Sequence, residues 1–205
     1  AERITSIPTG IDTSRFIPGD RLAARDQLGF PEGVPMLGIV ATLRSWKGHC
    51  FLIEALTRLR DRRVRLLIVG DGPMRATIAR YAEEFGVASR VIMAGNQRDV
   101  LPWLQALDIF VLPSYANEGI PQAIMQAMTV GLPVISTPVG GIPEIVRHED
   151  TGLLVAPRDA IALTAAIERV LSDPSTAKAM GERAKVFASR QFGIDRMCDR
   201  MEQVF

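Results

Sequence analysis

Residues 109–136 read IFVLPSYANEGIPQAIMQAMTVGLPVIS, and this stretch decides the fold class. The apolar run at residues 109–112 predicts a buried strand. Apolar residues at helical spacing then predict a helix over residues 118–130, which a glycine and a proline stop. A second apolar run, at residues 133–136, predicts the next strand. A strand, a helix and a strand in this order indicate two parallel strands joined by a crossover helix.

The same alternation continues on both sides of this stretch. Further apolar runs predict strands at residues 36–41, 64–69, 91–94 and 152–155. Amphipathic segments predict helices after residue 48, at residues 74–85, 100–107 and 159–171, and from residue 175 to near the end. Near-continuous apolar strands that alternate with helices imply a parallel sheet covered on both faces. We therefore predict a Rossmann-like, doubly wound α/β domain with a six-stranded parallel sheet of order 3-2-1-4-5-6.

Bulk composition excludes several classes of function. The 205 residues are 47% hydrophobic and 23% charged, and the net charge is +1. This balance gives no electrostatic reason to expect nucleic acid binding, and no apolar run is long enough to span a membrane. Cys50 and Cys198 lie far apart and belong to no CxxC motif, so neither a disulfide nor a metal site is expected. Free thiols favour a cytoplasmic location.

In a doubly wound sheet, ligands bind beyond the carboxyl ends of the strands, which makes the loops there candidate sites. The loop after the first strand, residues 42–48 (TLRSWKG), carries Arg44 and Lys47, and His49 follows it. Arg44 can give a bidentate fork to phosphate oxygens, and Lys47 can add a point charge. The positive end of the next helix would add to both. Two solvated surface cations are the alternative interpretation.

The loop after the fourth strand carries the second candidate group. Gly119 permits close approach of a ligand to the backbone, Pro121 suits a first helical turn, and free N–H groups there can bind a phosphate. Glu118 is either a ligand contact or a residue that complements the helix dipole. Gln126 lies about 80° around the predicted helix from Glu118, so the two can flank one ligand.

Several familiar motifs are missing, which narrows the chemistry. The first strand is not followed by GxGxxG, and neither GxxxxGK[ST] nor GxSxG occurs. His49 and His148 cannot form a metal cluster by themselves. Gly140 and Gly141, after the fifth strand, suit either a tight turn or close approach of a ligand.

Short segments spread over residues 4–171 resemble the retaining glycosyltransferases of family 4. The pattern of that family is E-x7-E followed by A-x-x-x-G-x-P-V. Its counterparts here, in the same order as in the family, are residues 9–18 (TGIDTSRFIP), Lys47-Gly48, residues 69–73 (VGDGP), Glu118-Gly119 with residues 131–135 (GLPVI), Gly140-Gly141 with Glu144, and residues 152–155 (GLLV). Each motif is weak alone, but together they make a strong case.

The resemblance implies one half of a GT-B enzyme, in which the active site lies in a cleft between two Rossmann-like domains. It implies that residues 1–18 are the interdomain linker and the start of the second domain. Residues 19–205 would then be the domain that binds the nucleotide-sugar donor, while the N-terminal acceptor domain would be absent from this chain. The resemblance implies no metal and no other cofactor, and it implies that this chain alone is inactive.

The resemblance also implies roles for individual residues. Lys47 and Arg44 would hold the diphosphate, and Glu118 would face the transferred sugar. The residues implied in donor binding are Thr42, Gly95 and Asn96 near the base, Gly119, Ile120 and Pro121 at the helix start, and Gln126 at the ribose. The chain departs from the family pattern at Gln126, which replaces the second Glu, and at Ala41 and Thr42, which replace Gly-Arg.

The function implied is transfer of a sugar from a UDP- or GDP-linked donor, with retention, to a glycan or a lipid-linked acceptor. Bacterial polysaccharide or lipopolysaccharide synthesis would be the setting, in the cytoplasm, with peripheral association of the full-length protein with the inner face of the membrane also open. Two alternatives remain at this point. One is a non-catalytic module that binds a nucleotide sugar, and the other is an epimerase or phosphorylase of GT-B type.

Overall fold

The computed structural model describes residues 7–204. The strands are β1 (Met36–Val40), β2 (Arg65–Val69), β3 (Val91–Gly95), β4 (Ile109–Leu112), β5 (Val134–Ser136) and β6 (Gly152–Leu154). The helices are α1 (Arg21–Gln27), α2 (His49–Arg58), α3 (Arg75–Glu84), α4 (Leu101–Gln105), α5 (Gln122–Val130), α6 (Ile142–Ile145), α7 (Ala160–Ser172), α8 (Pro174–Phe192) and α9 (Ile194–Glu202). Short 3₁₀ turns lie at Ser45–Lys47 and Ala88–Arg90.

The six strands form one parallel sheet of order β3-β2-β1-β4-β5-β6, which confirms the predicted fold class and strand order. Each strand begins and ends within one residue of its prediction. The strands were predictable because β1, β2, β4 and β5 are almost entirely buried, as expected for a sheet covered on both faces. Helix packing completes the cover, with α2 against α7 and α5 against α8.

The helix after β4 begins later than predicted. It starts at Gln122, after Pro121, whose backbone is extended with φ −71° and ψ 116°. A residue that precedes proline avoids the helical region, which ends any helical path through Ile120. Glu118 therefore lies in the loop, and its predicted position 80° around the helix from Gln126 is wrong.

The C-terminal region also differs, because two helices replace the single one predicted. The break lies at Gly193, where Ile11 forms a parallel bridge. The Ile11 amide donates to the Phe192 carbonyl at 2.7 Å, and the Ile194 amide donates to the Ile11 carbonyl at 3.1 Å. A continuous helix would need both of these groups for its own hydrogen bonds. Two short helices, α1 and α6, were not predicted at all.

Ile11 and Phe16 are both buried, so the described part of the predicted linker packs onto the domain. Residues 1–6 of that segment, and residue 205 at the end of the predicted donor domain, lie outside the described residues.

Candidate functional site

Three loops meet at the carboxyl edge of the sheet, where β1, β4 and β5 end. The Tyr115 amide in the loop after β4 donates to the Trp46 carbonyl in the loop after β1, at 2.8 Å. On the other side, the Gly141 amide after β5 donates to the Gly119 carbonyl at 3.1 Å. The loop after β4 is therefore held between its two neighbours.

Two glycines make this close packing possible. A Cβ atom on Gly48 would lie 2.0 Å from the Pro113 carbonyl oxygen, and one on Gly140 would lie 1.8 Å from the Glu118 carbonyl oxygen. Both glycines also have positive φ angles, 76° and 58°. The close approach at Gly140 is to the backbone of a neighbouring loop, so the structure supports the tight turn that was one interpretation of this glycine. Close approach of a ligand to Gly140 stays a prediction.

An ion pair lies where these loops meet. The Lys47 Nζ atom is 2.7 Å from Glu118 Oε1, and the side chains are only 18% and 4% exposed. Ser114 Oγ donates to the same carboxylate oxygen at 2.5 Å. Lys47 and Glu118 come from loops 71 positions apart in sequence, and the structure brings them together.

The helices α2 and α5 begin at this edge without a side-chain cap. The N-cap of α2 is Gly48 and that of α5 is Pro121, and neither residue can offer a side-chain acceptor. No cap side chain therefore occupies the first N–H groups of either helix, although the Phe51 amide of α2 donates to the Gly48 carbonyl at 3.1 Å. Each helix adds the positive end of its dipole. Together with the Lys47 ammonium, these groups make the edge suitable for an anion such as a phosphate.

Arg44 lies in the same loop as Lys47 but is not part of the ion pair. Its side chain is exposed, and its guanidinium lies over the Trp46 ring, 5.8 Å from the ring centroid. The stacked guanidinium keeps its N–H donors in its plane, where they can still reach an anion.

A recess at the same edge has both Thr42 and Asn96 in its lining. It has a volume of about 530 Å³ and lies beyond the ends of β1, β2 and β3, with Asp71 and Gln97 also in its lining. Gly95, the last residue of β3, is not part of this lining, and its carbonyl accepts from the Gly70 amide at 2.8 Å. The structure thus places Gly95 and Asn96 at the β3 side of the edge, and the Lys47–Glu118 pair at its centre, where β1 and β4 end. Thr42 lies between them, at the start of the loop that carries Lys47.

The remaining candidate residues lie around the start of α5. Gly119 is exposed, Ile120 is half-buried and Pro121 is buried. Gln126 is half-buried and lies farther along α5. Its side-chain amide makes no hydrogen bond with the described residues. It is therefore free to bind a ligand group.

His49 is a buried titratable group two residues after Lys47. It is 3% exposed, and neither ring nitrogen has a hydrogen-bond partner among the described residues. Burial, and to a lesser extent the charge of Lys47, lower the pKa of His49 from 6.5 to about 4. His49 is therefore neutral at pH 7.

Ser114 is a contact of Glu118 that the sequence did not single out. It lies at the end of an apolar run, where a serine is unremarkable, and nothing in the spacing links it to Glu118. The path of the intervening loop, which is not helical, brings the Ser114 hydroxyl to the Glu118 carboxylate.

Two features are absent from residues 7–204. No three His, Cys, Asp or Glu side chains in this range are grouped as a metal site requires. None of the helices in the same range combines the length and apolar character needed to cross a membrane.

Comparison with known proteins identifies the family of this chain. The sequence model of the family described as glycosyl transferases group 1 matches residues 20–187. A GDP-mannose-dependent α-(1-6)-phosphatidylinositol monomannoside mannosyltransferase of Mycolicibacterium smegmatis is 35% identical over 201 residues, which are 92% of this chain and 51% of the relative. This chain spans about half the length of the curated relatives it matches.

Solved structures agree with the family match. Sucrose-phosphate synthase from Thermosynechococcus elongatus superimposes with a TM-score of 0.88 at 32% identity, over 97% of this chain and 51% of that one. HepE from Anabaena, solved in complex with UDP-glucose, superimposes with a TM-score of 0.90 at 25% identity, over 97% of this chain and 56% of that one. The chain belongs to the glycosyl transferases group 1 family, and its fold is that of the C-terminal half of a GT-B glycosyltransferase.

Proposed function

We propose that this chain is the donor-binding domain of a retaining glycosyltransferase. It binds a UDP- or GDP-linked sugar, whose glycosyl group is transferred to a glycan or a lipid-linked acceptor. The observation that carries the proposal is the Lys47–Glu118 pair, held between the uncapped N-termini of α2 and α5. These groups supply a cation and free N–H donors for a diphosphate, beside a carboxylate for a sugar.

The diphosphate is assigned to Lys47 and to the N–H groups at the two helix ends. Negative charge grows on this group as it leaves the sugar, and fixed donors in a largely buried site stabilise that charge. Lys47 can turn from Glu118 to a phosphate oxygen, because its amine is on a flexible stem. Arg44, in the same loop, is the second cation. With this charge supplied by side chains and helices, the proposal includes no metal.

The sugar and the nucleoside are assigned to residues on either side of this diphosphate site. Glu118 accepts hydrogen bonds from hydroxyls of the transferred sugar. Gln126 bonds the ribose, since an amide can both accept from and donate to a hydroxyl. The recess that contains Thr42 and Asn96 takes the base.

Retention requires the acceptor to approach the face that the diphosphate leaves. The bond between sugar C1 and the diphosphate oxygen breaks, and a bond between C1 and the acceptor oxygen forms. The acceptor proton passes to the departing diphosphate oxygen, so no side chain is assigned as base. Because a GT-B active site lies between two domains, we expect this chain alone to bind a donor without transferring the sugar.

The relatives suggest which donors to try first. The mycobacterial relative is named for GDP-mannose, and the HepE structure holds UDP-glucose. Synthesis of an envelope polysaccharide or lipopolysaccharide at the cytoplasmic face of the membrane is the setting that we propose.

The test is calorimetric titration of the chain with UDP, GDP, UDP-glucose and GDP-mannose in the presence of EDTA. We expect one nucleotide series to bind, and Lys47→Met to weaken that binding about tenfold or more, as loss of a charged hydrogen bond implies. Lys178→Met is the matched control, because Lys178 lies at the opposite edge of the sheet, in a groove that Pro35 and Pro133 also line, directly before β1 and β5.

Circular dichroism would first establish that both variants are folded. Absence of binding by the unsubstituted chain would overturn the proposal. Full affinity in Lys47→Met would remove the diphosphate role of Lys47, and binding that appears only when EDTA is left out would contradict the metal-free site.

A further inference from the structure

We propose that Ser114 is a positioning residue, which fixes the Glu118 carboxylate so that its second oxygen, Oε2, faces the transferred sugar. This inference rests on the proposed function, in which Glu118 contacts the sugar. Ser114 itself is fully buried and has no exposed surface with which to bind a ligand. Any effect it has on the donor must therefore pass through Glu118.

The hydrogen bond from Ser114 is of the strong kind. Its hydroxyl lies 2.5 Å from Glu118 Oε1, the distance typical of a hydroxyl that donates to an ionised carboxylate. The carboxylate has lost nearly all contact with water, since its side chain is only 4% exposed. In such surroundings each remaining donor strongly determines how the group is oriented.

Both side-chain donors end on the same oxygen. Lys47 Nζ and Ser114 Oγ approach Glu118 Oε1 at 2.7 Å and 2.5 Å. Among the described residues no hydrogen bond to Oε2 is found, so this oxygen remains available as an acceptor. The geometry divides the carboxylate into one oxygen held by the protein and one left for a hydroxyl of the ligand.

Donor binding makes Ser114 more important. In the proposed complex Lys47 turns toward the diphosphate, and its contact with Oε1 weakens. The Ser114 hydroxyl is uncharged and buried, so a phosphate cannot draw it away. Ser114 then remains as the donor that keeps Oε1 in place.

The backbone of Ser114 is itself held from both sides. Its carbonyl accepts a hydrogen bond from Thr137 Oγ1, after β5. The next amide, of Tyr115, donates to the Trp46 carbonyl at 2.8 Å, in the loop that carries Lys47. Ser114 is therefore a rigid support, which is what a positioning residue requires.

The test compares each nucleoside diphosphate with its sugar-bearing form, namely UDP with UDP-glucose and GDP with GDP-mannose. Ser114→Ala should weaken binding of the nucleotide sugar about tenfold, because the sugar contact of Glu118 is misplaced. Binding of the diphosphate, which carries no sugar, should change less than twofold. A purely structural role would weaken both ligands together.

Ser136→Ala is a matched control. Ser136 is also fully buried at the end of a strand, and its hydroxyl donates to the Leu112 carbonyl at 2.6 Å without touching Glu118. Its loss should change the ratio of the two affinities by less than twofold. A change in this ratio as large as that in Ser114→Ala would overturn the inference.

A second comparison uses the Glu118→Ala background. If Ser114 acts through Glu118, Ser114→Ala should add no further loss of nucleotide-sugar affinity there. Additive losses would contradict the inference, and so would an unchanged affinity ratio in Ser114→Ala alone. If the unsubstituted chain bound none of the four nucleotides, the proposed function would fail, and this inference with it.

Discussion

At the scale of residues, the distance between the Lys47 and Glu118 side chains supplies information that the sequence does not contain. From sequence, Lys47 can be a solvated surface cation, and Glu118 can be a residue that complements a helix dipole. In the structure each is largely buried, and their charged atoms are 2.7 Å apart. A buried carboxylate needs a partner of opposite charge, so the pair explains why both residues are tolerated at the sheet edge.

His49 gives the domain a measurable dependence on pH. Its pKa in the folded chain is about 4, because of burial and then the Lys47 charge, whereas the ordinary value is 6.5. Between these values the unfolded chain binds a proton that the folded chain does not, so stability falls as the pH is lowered through this window. The stability is fully present above pH 6.5, and roughly 2 to 3 kcal/mol should be lost by pH 4.5.

Urea denaturation at pH 7 and pH 4.5 would measure this loss in the unsubstituted chain and in His49→Phe. The carboxyl groups titrate in both proteins, so the difference between the two isolates His49. We expect His49→Phe to lose less stability on acidification. Equal losses in the two proteins would show that His49 does not titrate as described.

At the scale of elements, the strands were easier to predict than the helix starts. β4 is buried on both faces and reads as an unbroken apolar run, IFVL. The start of α5 could not be read from apolar spacing, because that spacing continues into the loop. The extended backbone of Pro121 prevents the helix from beginning before Gln122. Because the predicted start of α5 was too early, the predicted position of Glu118 relative to this helix was wrong as well.

The start of α7 is an element boundary with a testable cap. The Asp159 carboxylate accepts from the Ala162 amide at 2.8 Å, and α7 packs against α2, which follows the Lys47 loop. Asp159→Ala should lower the free energy of unfolding by about 1 kcal/mol, because the first-turn amide loses its acceptor. Asp159→Asn should cost only a few tenths of that, since an amide oxygen also caps well. Chemical denaturation would check this, and an equal loss in both variants would rule out the capping role.

At the scale of the whole molecule, the contact between α8 and α5 depends on one glycine. A Cβ atom on Gly181, within α8, would lie 2.1 Å from the Gly131 carbonyl oxygen at the end of α5. Gly181→Ala should therefore destabilise the domain by about 1–3 kcal/mol through overpacking. Helix propensity alone would predict a gain of about 1 kcal/mol, so the sign of the change distinguishes the two effects.

Ala179→Gly, at an exposed position of the same helix, measures the propensity effect by itself. It should cost about 1 kcal/mol in the same denaturation experiment. A stabilised Gly181→Ala variant would show that α8 can move away from α5 without loss.

The sequence alone determined the fold class, the six strands and their order, and the family. These follow from local patterns: buried strands are apolar runs, crossovers in such sheets are right-handed, and the motifs lie in a recognisable order. The sequence also predicted which loops form the site, and so which residues are candidates for it. Loops lie at predictable ends of strands in a doubly wound sheet.

Only the tertiary structure decided which of those residues touch one another. The Lys47–Glu118 pair, the Ser114 hydrogen bond and the break at Gly193 all depend on segments far apart in sequence, or on a loop whose path has no periodicity. Such contacts are set by the packing of the backbone at the sheet edge. A single Cβ atom at Gly140 would disturb that packing, and the periodicity of a sequence carries no record of it.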